Sequence, residues 1–156
     1  MTSVHETASA VLKEGDVAPK FKLRAFPAGE ISLEQFKGKK NVILAFYPKD
    51  DTPGCTKEMC AFSEDLSKFA NAGTEVLGIS CDDEKSHEKF AGKFGLKQVL
   101  LADPEGKVGK LYGTLKESGT SANRKLFVID KQGVIRHIHE GMPTNDALLT
   151  VVKNLK

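Results

Sequence analysis

Cys55 and Cys60 lie five residues apart in the stretch FYPKDDTPGCTKEMC, and a Thr-Pro-Gly tripeptide leads directly into the first of them. Threonine favours the N-cap of a helix and proline its first position, so a helix is predicted to begin at Pro53 with Thr52 as its cap. Cys55 then sits in the first turn, where it faces unpaired backbone N–H groups and the positive end of the helix dipole. A helix start of this kind favours the thiolate, which is the nucleophilic form of a thiol. Gly54 offers no side chain to block an approach to the sulfur. The competing interpretation is that Cys55 is a small buried residue that happens to start a helix.

The spacing limits what the two cysteines can do together. In a regular helix, residues five apart have Cα atoms about 8–9 Å apart on faces separated by about 140°. A disulfide needs Cα atoms closer than about 7 Å. Either Cys60 is passive, or a bond between the two requires the first turns to unwind. The third cysteine, Cys81, follows a strand-like run beside Asp82 and Asp83, and neighbouring acids raise a thiol pKa. It is read as a bystander, with a backup role in disulfide formation as the minor alternative. Cys81 and His87 could join the helix cysteines as zinc ligands, but the spacing matches no zinc motif. His137 and His139 alternate onto one strand face and are read as exposed strand residues. GKVGKLYG lacks the order of a phosphate-binding loop.

The elements that would position these residues alternate between strand and helix. KFKLRAF is a candidate strand, and ISLEQFKGK a second strand or a turn. NVILAFY, ending at Pro48, reads as a central strand covered on both faces. One helix is predicted from Pro53 to about Asn71, with Cys60, Phe62, Leu66 and Phe69 as its apolar positions. TEVLGIS is another buried strand, and DEKSHEKFAGKFG an amphipathic helix stopped by Gly95. QVLLAD is a short strand and GKVGKLYG a short helix. KLFVID and VIRHIHEG flank KQG as a hairpin, and TNDALLTVVKNL is a closing helix capped by Thr144 or Asn145. This pattern predicts an α/β domain, a central mixed sheet with helices on both faces. Chemistry in such sheets gathers where strands end and helices begin, and the turn from Tyr47 to Cys55 is such a place.

Composition narrows the function classes. The chain has 156 residues, 40% hydrophobic and 28% charged, which suits one soluble domain. A short tail over residues 1–12 and a single domain over 13–156 are expected. The net charge of +2 is too small and too scattered for a nucleic-acid-binding surface. No apolar run approaches the roughly 18 residues of a membrane span, and the start lacks the pattern of a secretion signal. A cytoplasmic location is the expectation. Three cysteines are an odd number and too few for a disulfide scaffold.

The segment YPKDDTPGCTKEMC resembles the active-site region of peroxiredoxins, in particular the bacterioferritin-comigratory-protein or PrxQ type. The family pattern P-x-x-x-T-x-x-C is met by Pro48, Thr52 and Cys55, and the likeness runs from GDVAPKFKL to the closing helix. The resemblance implies a thioredoxin-like fold, no cofactor, and reduction of hydrogen peroxide and organic hydroperoxides. It implies that Cys55 is the peroxidatic cysteine, oxidised to a sulfenic acid, and that Thr52 binds the thiolate or peroxide through its hydroxyl. Pro48 would shape the pocket, and Gly54, with Tyr47, would bind substrate, partly through the Gly54 and Cys55 N–H groups. In NRKLFVID, Arg124 matches the family's arginine before a late strand. Leu126 departs from the usual small hydroxyl residue there, which bears on packing more than on chemistry. Cys60 matches the resolving cysteine of the subgroup, so an intramolecular Cys55–Cys60 disulfide is implied, with recycling by thioredoxin or a similar dithiol and action as a monomer.

Three other functions are compatible with parts of this pattern. A thiol–disulfide exchange enzyme on the same fold would carry C-x-x-C and a proline before the late strand, and this chain has neither. A glutathione-peroxidase-like enzyme would normally carry an active-site tryptophan, and the chain has no Trp. A redox sensor or holdase would oxidise once and stop, which peroxide-consumption kinetics separate from turnover.

Overall fold

The computed structural model describes residues 11–155, so most of the expected tail lies outside the described residues. At the centre is β3 (Asn41–Phe46), buried along its whole length. It pairs in parallel with β4 (Thr74–Ser80) and antiparallel with β6 (Lys125–Ile129). β1 (Lys22–Phe26), β2 (Gly29–Ser32), β5 (Val99–Ala102) and β7 (Ile135–Glu140) complete a seven-stranded mixed sheet in the order β2-β1-β5-β4-β3-β6-β7. The hairpin predicted around KQG joins β6 to β7, with Gly133 at φ 83°, a backbone angle that suits glycine. ISLEQFKGK divides between β2 and a single 3-10 turn, Leu33–Phe36.

Successive strand residues point to opposite faces, and β3 divides its side chains accordingly. Val42, Leu44 and Phe46 join one core with Phe21, Tyr112 and Phe127. Ile43, Ala45 and Tyr47 join the other with Cys55, Met59, Phe62, Phe90 and Leu126. That second face is covered by α1 (Pro53–Glu64), α2 (Leu66–Asn71), α3 (Glu84–Phe94) and α5 (Asn145–Lys153). Among the described residues, the first face is covered by the short α4 (Lys107–Leu111), the 3-10 turn and loop residues such as Ala18 and Ala122. Helices do lie on both faces, but very unequally. Gly78 in β4 lets α1 approach the sheet closely. A Cβ there would stand 2.9 Å from Leu100, 3.0 Å from the Met59 sulfur and 3.3 Å from the Tyr47 ring.

The helix predicted from Pro53 to Asn71 is two helices. The chain leaves helical geometry at Asp65, with φ −106° and ψ 14°. The reason is tertiary: Asn145, at the start of α5, donates its side-chain N–H to the Ala61 carbonyl (2.9 Å) and to the Asp65 carboxylate (3.0 Å). Those contacts stabilise a break that no proline or glycine in the sequence announces. The break also moves the apolar face. Met59, Phe62 and Phe69 are buried, while Cys60 and Leu66 are only half-buried. The other helix ends follow their sequence signals. Asp83 accepts from Ser86 N and Thr144 from Ala147 N at their N-caps, and Gly95 closes α3 at φ 65°.

The sheet register positions the site. Phe46, the last residue of β3, lies opposite Lys125, the first of β6, because those strands run antiparallel. The residue preceding β6 is therefore brought to the loop that follows β3. That residue is Arg124.

Candidate active site

Cys55 lies in the first turn of α1, three residues past the Thr52 cap position, and is fully buried. Arg124 Nη2 donates to its sulfur at 3.4 Å, and Nη1 of the same guanidinium donates to Glu58 Oε1 at 2.7 Å. One planar cation thus bridges two groups three residues apart on one face of α1, the separation at which helix side chains are neighbours. A guanidinium has fixed, divergent donors and can serve both at once. The guanidinium, charged at any relevant pH, thus stands directly against the sulfur. Burial works against the guanidinium's charge, but its bonds to Cys55 and Glu58 more than offset this and raise the Arg124 pKa.

Glu58 went unremarked in the sequence, yet its carboxyl is buried beside the reactive sulfur's partner. It is 2% exposed, and burial pushes its pKa up to about 7, against the lowering effect of Arg124. Its Oε2 is buried and has no hydrogen-bond partner. An available signal was the i, i+3 spacing of an acid from the cysteine. A cleft between α1 and the turn from β7 to α5, lined by Glu58, Phe62, Met142 and Pro143, opens next to this group.

Gly54 has a structural reason beside the one its sequence suggests. A Cβ at Gly54 would stand 3.0 Å from Arg124 Nη2, so the glycine makes room for the guanidinium. Thr52 occupies the N-cap position with extended backbone but makes no side-chain cap bond. Its hydroxyl donates instead to the Lys49 carbonyl at 2.9 Å, closing the loop on itself. The tightness of that loop is the cause: Asp51 takes the left-handed conformation at φ 58°, which aspartate tolerates better than most residues. Capping was therefore the wrong task for the Thr52 hydroxyl, whose oxygen keeps its acceptor capacity. Pro48 is half-buried in the same loop.

Tyr47 also differs from expectation. It is fully buried and donates its hydroxyl to Asp50 Oδ1 at 2.6 Å, so it braces the loop from within. Burial and the charge of Asp50 hold it as a neutral phenol, with a pKa well above the usual tyrosine value.

Cys60 is a half-buried free thiol five residues beyond Cys55 on a helix that is regular from Pro53 to Glu64. Both cysteines are free, and the helix between them is continuous. Cys81 is also free and half-buried, and burial first, then Asp103 and Asp82, push its thiol pKa up. Among the described residues no group of three or more His, Cys, Asp or Glu side chains is placed to hold a metal ion. His137 and His139 stack with ring centroids 6.1 Å apart and are half-buried rather than exposed.

Comparison with known proteins accords with this geometry. Residues 15–138 match the AhpC/TSA family. A protein of Populus jackii named peroxiredoxin Q, chloroplastic, is 43% identical over 139 residues, covering 88% of this chain and 65% of that one. The chain thus spans somewhat under two thirds of this plant relative. A Coxiella burnetii protein named as a peroxiredoxin, Bcp, is 39% identical over 150 residues, 92% of this chain and 99% of the other. Among solved structures, the peroxidoxin BcpB of Mycobacterium tuberculosis superposes with a TM-score of 0.85 at 28% identity, over 93% of this chain and 99% of that one.

Proposed function

The chain belongs to the AhpC/TSA family, in its peroxiredoxin Q and Bcp branch, and from that premise we propose that it is a thioredoxin-dependent peroxidase acting on hydrogen peroxide and organic hydroperoxides. The observation that carries the proposal is the Arg124 contact with the Cys55 sulfur at a helix start, inside the Pro48/Thr52/Cys55 pattern.

The Cys55 thiolate attacks the terminal oxygen of the hydroperoxide. An S–O bond forms, the O–O bond breaks, and the leaving alkoxide or hydroxide takes a proton to become alcohol or water. The sulfur is oxidised to the sulfenic acid and the peroxide is reduced. Arg124 already lies where negative charge moves from sulfur to oxygen, and a pre-placed cation lowers the cost of that movement. Glu58, with a pKa near 7, is partly protonated at neutral pH and holds Arg124 in place through Oε1. Thr52 and the Gly54 and Cys55 N–H groups are the proposed peroxide contacts.

Cys60 then attacks the Cys55 sulfur as a thiolate. The S–S bond forms and the sulfenic oxygen leaves as water. An external dithiol returns both cysteines to thiols through a mixed disulfide, and thioredoxin is the proposed reductant. Both sulfurs lie on one helix of one chain, so the cycle needs no second copy and a monomer suffices. A cytoplasmic location belongs to the same proposal, since a reducing compartment supplies the dithiol. The test is a coupled assay with thioredoxin and its reductase and several hydroperoxides, run on the parent and the single-cysteine variants. A Cys55→Ser variant that consumes peroxide at the parent rate would overturn the assignment.

A further inference from the structure

The loop that carries Pro48 and Thr52 is held from outside by α3, through a group that the proposed reaction does not use. His87 lies on α3 and is fully buried. Its Nδ1 lies 2.7 Å from Asp50 Oδ2, and its Nε2 lies 2.7 Å from the carbonyl oxygen of Leu101 in β5. Both neighbours are acceptors. A neutral imidazole carries one N–H and cannot donate to both, whereas an imidazolium can. The geometry therefore calls for the protonated ring.

Asp50 is the point at which this ring meets the loop. Besides His87, its carboxylate accepts from the Tyr47 hydroxyl at 2.6 Å and from the Ser86 hydroxyl at 2.7 Å. Its backbone N–H donates to Asp82 at 2.8 Å, and Asp82 also accepts from the Ser80 hydroxyl at 2.7 Å. Only Thr52 and Pro53 separate Asp51, at its left-handed φ of 58°, from Gly54. A shift of Asp50 is passed through this short, constrained connection to the first turn of α1.

We propose that His87 is a positioning residue for the peroxidase reaction: its imidazolium locks Asp50, and through Asp50 the loop from Tyr47 to Thr52, in the arrangement that presents Cys55 at the helix start. The inference rests on the peroxidase function proposed above. The groups facing the ring are Asp50 from the loop, Asp82 from the turn after β4, the neutral Tyr47 phenol and the Leu101 carbonyl from β5. The nearby cations are engaged at the surface, Lys93 with Asp51 and Arg24 with Glu84. Burial pushes the ring toward neutrality, but the bond and charge of Asp50, with Leu101 and Asp82, more than offset it and raise the pKa above 6.5. The lock is therefore fully present below the ordinary histidine value and is lost as pH rises through the raised one.

The test compares single-turnover oxidation of Cys55 by hydrogen peroxide in the parent and in His87→Gln across pH 6 to 10. The ratio of the two rates cancels pH effects common to both proteins and isolates what His87 contributes. The expected ratio is roughly ten- to a hundredfold at low pH, since small misplacements of reacting groups cost about that much. It should fall toward unity as the His87 ring loses its proton, read independently by 15N signals of the ring in the parent. Asp50→Asn should move that fall to lower pH. A ratio that stays constant with pH, or ring signals showing a neutral His87 at pH 6, would overturn the proposal while leaving the peroxidase function standing. A parent that does not react with peroxide would overturn both. Because the ring signals are read in the parent without peroxide, a variant that fails to fold does not remove the test.

Discussion

Arg124 Nη2 stands 3.4 Å from the Cys55 sulfur, although the two residues are 69 positions apart in sequence. The antiparallel register of β3 and β6 creates this meeting, because it sets the start of β6 against the end of β3. Gly54 keeps the space between them open.

The guanidinium should be irreplaceable by a simple positive charge. Arg124→Lys retains charge but has no fixed pair of donors for Cys55 and Glu58. Its rate of reaction with peroxide should fall roughly a hundredfold or more, as when one pre-placed donor is removed from an active site. Stopped-flow measurement of single-turnover oxidation checks this, and a parent-like rate in the Lys variant would show that charge alone is enough.

Gly54→Ala should damage the same contact without touching either partner. Its Cβ would fall 3.0 Å from Arg124 Nη2, tighter than ordinary contact, so the guanidinium must withdraw from the sulfur. Peroxide reactivity should drop by about the same factor as in Arg124→Lys, and combining the two changes should cost little more than either alone. A double-mutant cycle in the same assay reads the coupling.

Glu58 makes stability depend on pH near neutrality. Its pKa rises from 4.5 to about 7 on folding, with burial the main cause. The folded state thus holds the proton more tightly than the unfolded one. The stability from the protonated carboxyl is fully present below 4.5 and is lost as pH rises through about 7. Glu58→Gln retains an oxygen to accept from Arg124 but cannot titrate. Denaturant unfolding at several pH values should show the parent losing stability relative to this variant between pH 5 and 8. Parallel curves would argue against a raised carboxyl pKa.

Disulfide formation should loosen only the start of α1. Gln98 Nε2 donates to the Met59 carbonyl at 3.0 Å and its Oε1 accepts from the Ser63 hydroxyl, while Asn145 holds Ala61 and Asp65. These bonds anchor the helix from Met59 onward. Amide exchange across Thr56 to Ala61 should accelerate in the disulfide form, with the turn after Ser63 unchanged. Gln98→Ala removes one anchor and should speed the disulfide step by roughly five- to tenfold, for a bond worth about 1–1.5 kcal/mol. Unchanged protection at Thr56 would mean that the two sulfurs meet by some other movement.

What the sequence disclosed follows the range of the interactions involved. The α/β pattern, the start of α1, the stop at Gly95, the N-cap at Thr144, and the hairpin at Lys131 to Gly133 are local, and each is present where the residues indicated. The break at Asp65 was hidden because Asn145, 80 positions away, stabilises it. Thr52 read as a cap because its type and place suit one, but the left-handed Asp51 turns the loop so that its hydroxyl reaches Lys49. The family resemblance implied a substrate contact for Tyr47, whereas strand alternation points it into the core toward Asp50. Glu58 was half-legible from its helical spacing to Cys55. His87 was weighed only as a remote metal ligand, since its partners Asp50 and Leu101 come from other elements.

The central claim, that Cys55 takes the peroxide oxygen and Cys60 resolves it, is tested most directly by intact-mass and peptide analysis after one equivalent of hydrogen peroxide. The account predicts a parent lighter by two hydrogens with a Cys55–Cys60 linked peptide, and a Cys60→Ser variant heavier by one oxygen on Cys55. A Cys55–Cys81 link in the parent, or oxidation that spares Cys55, would contradict it.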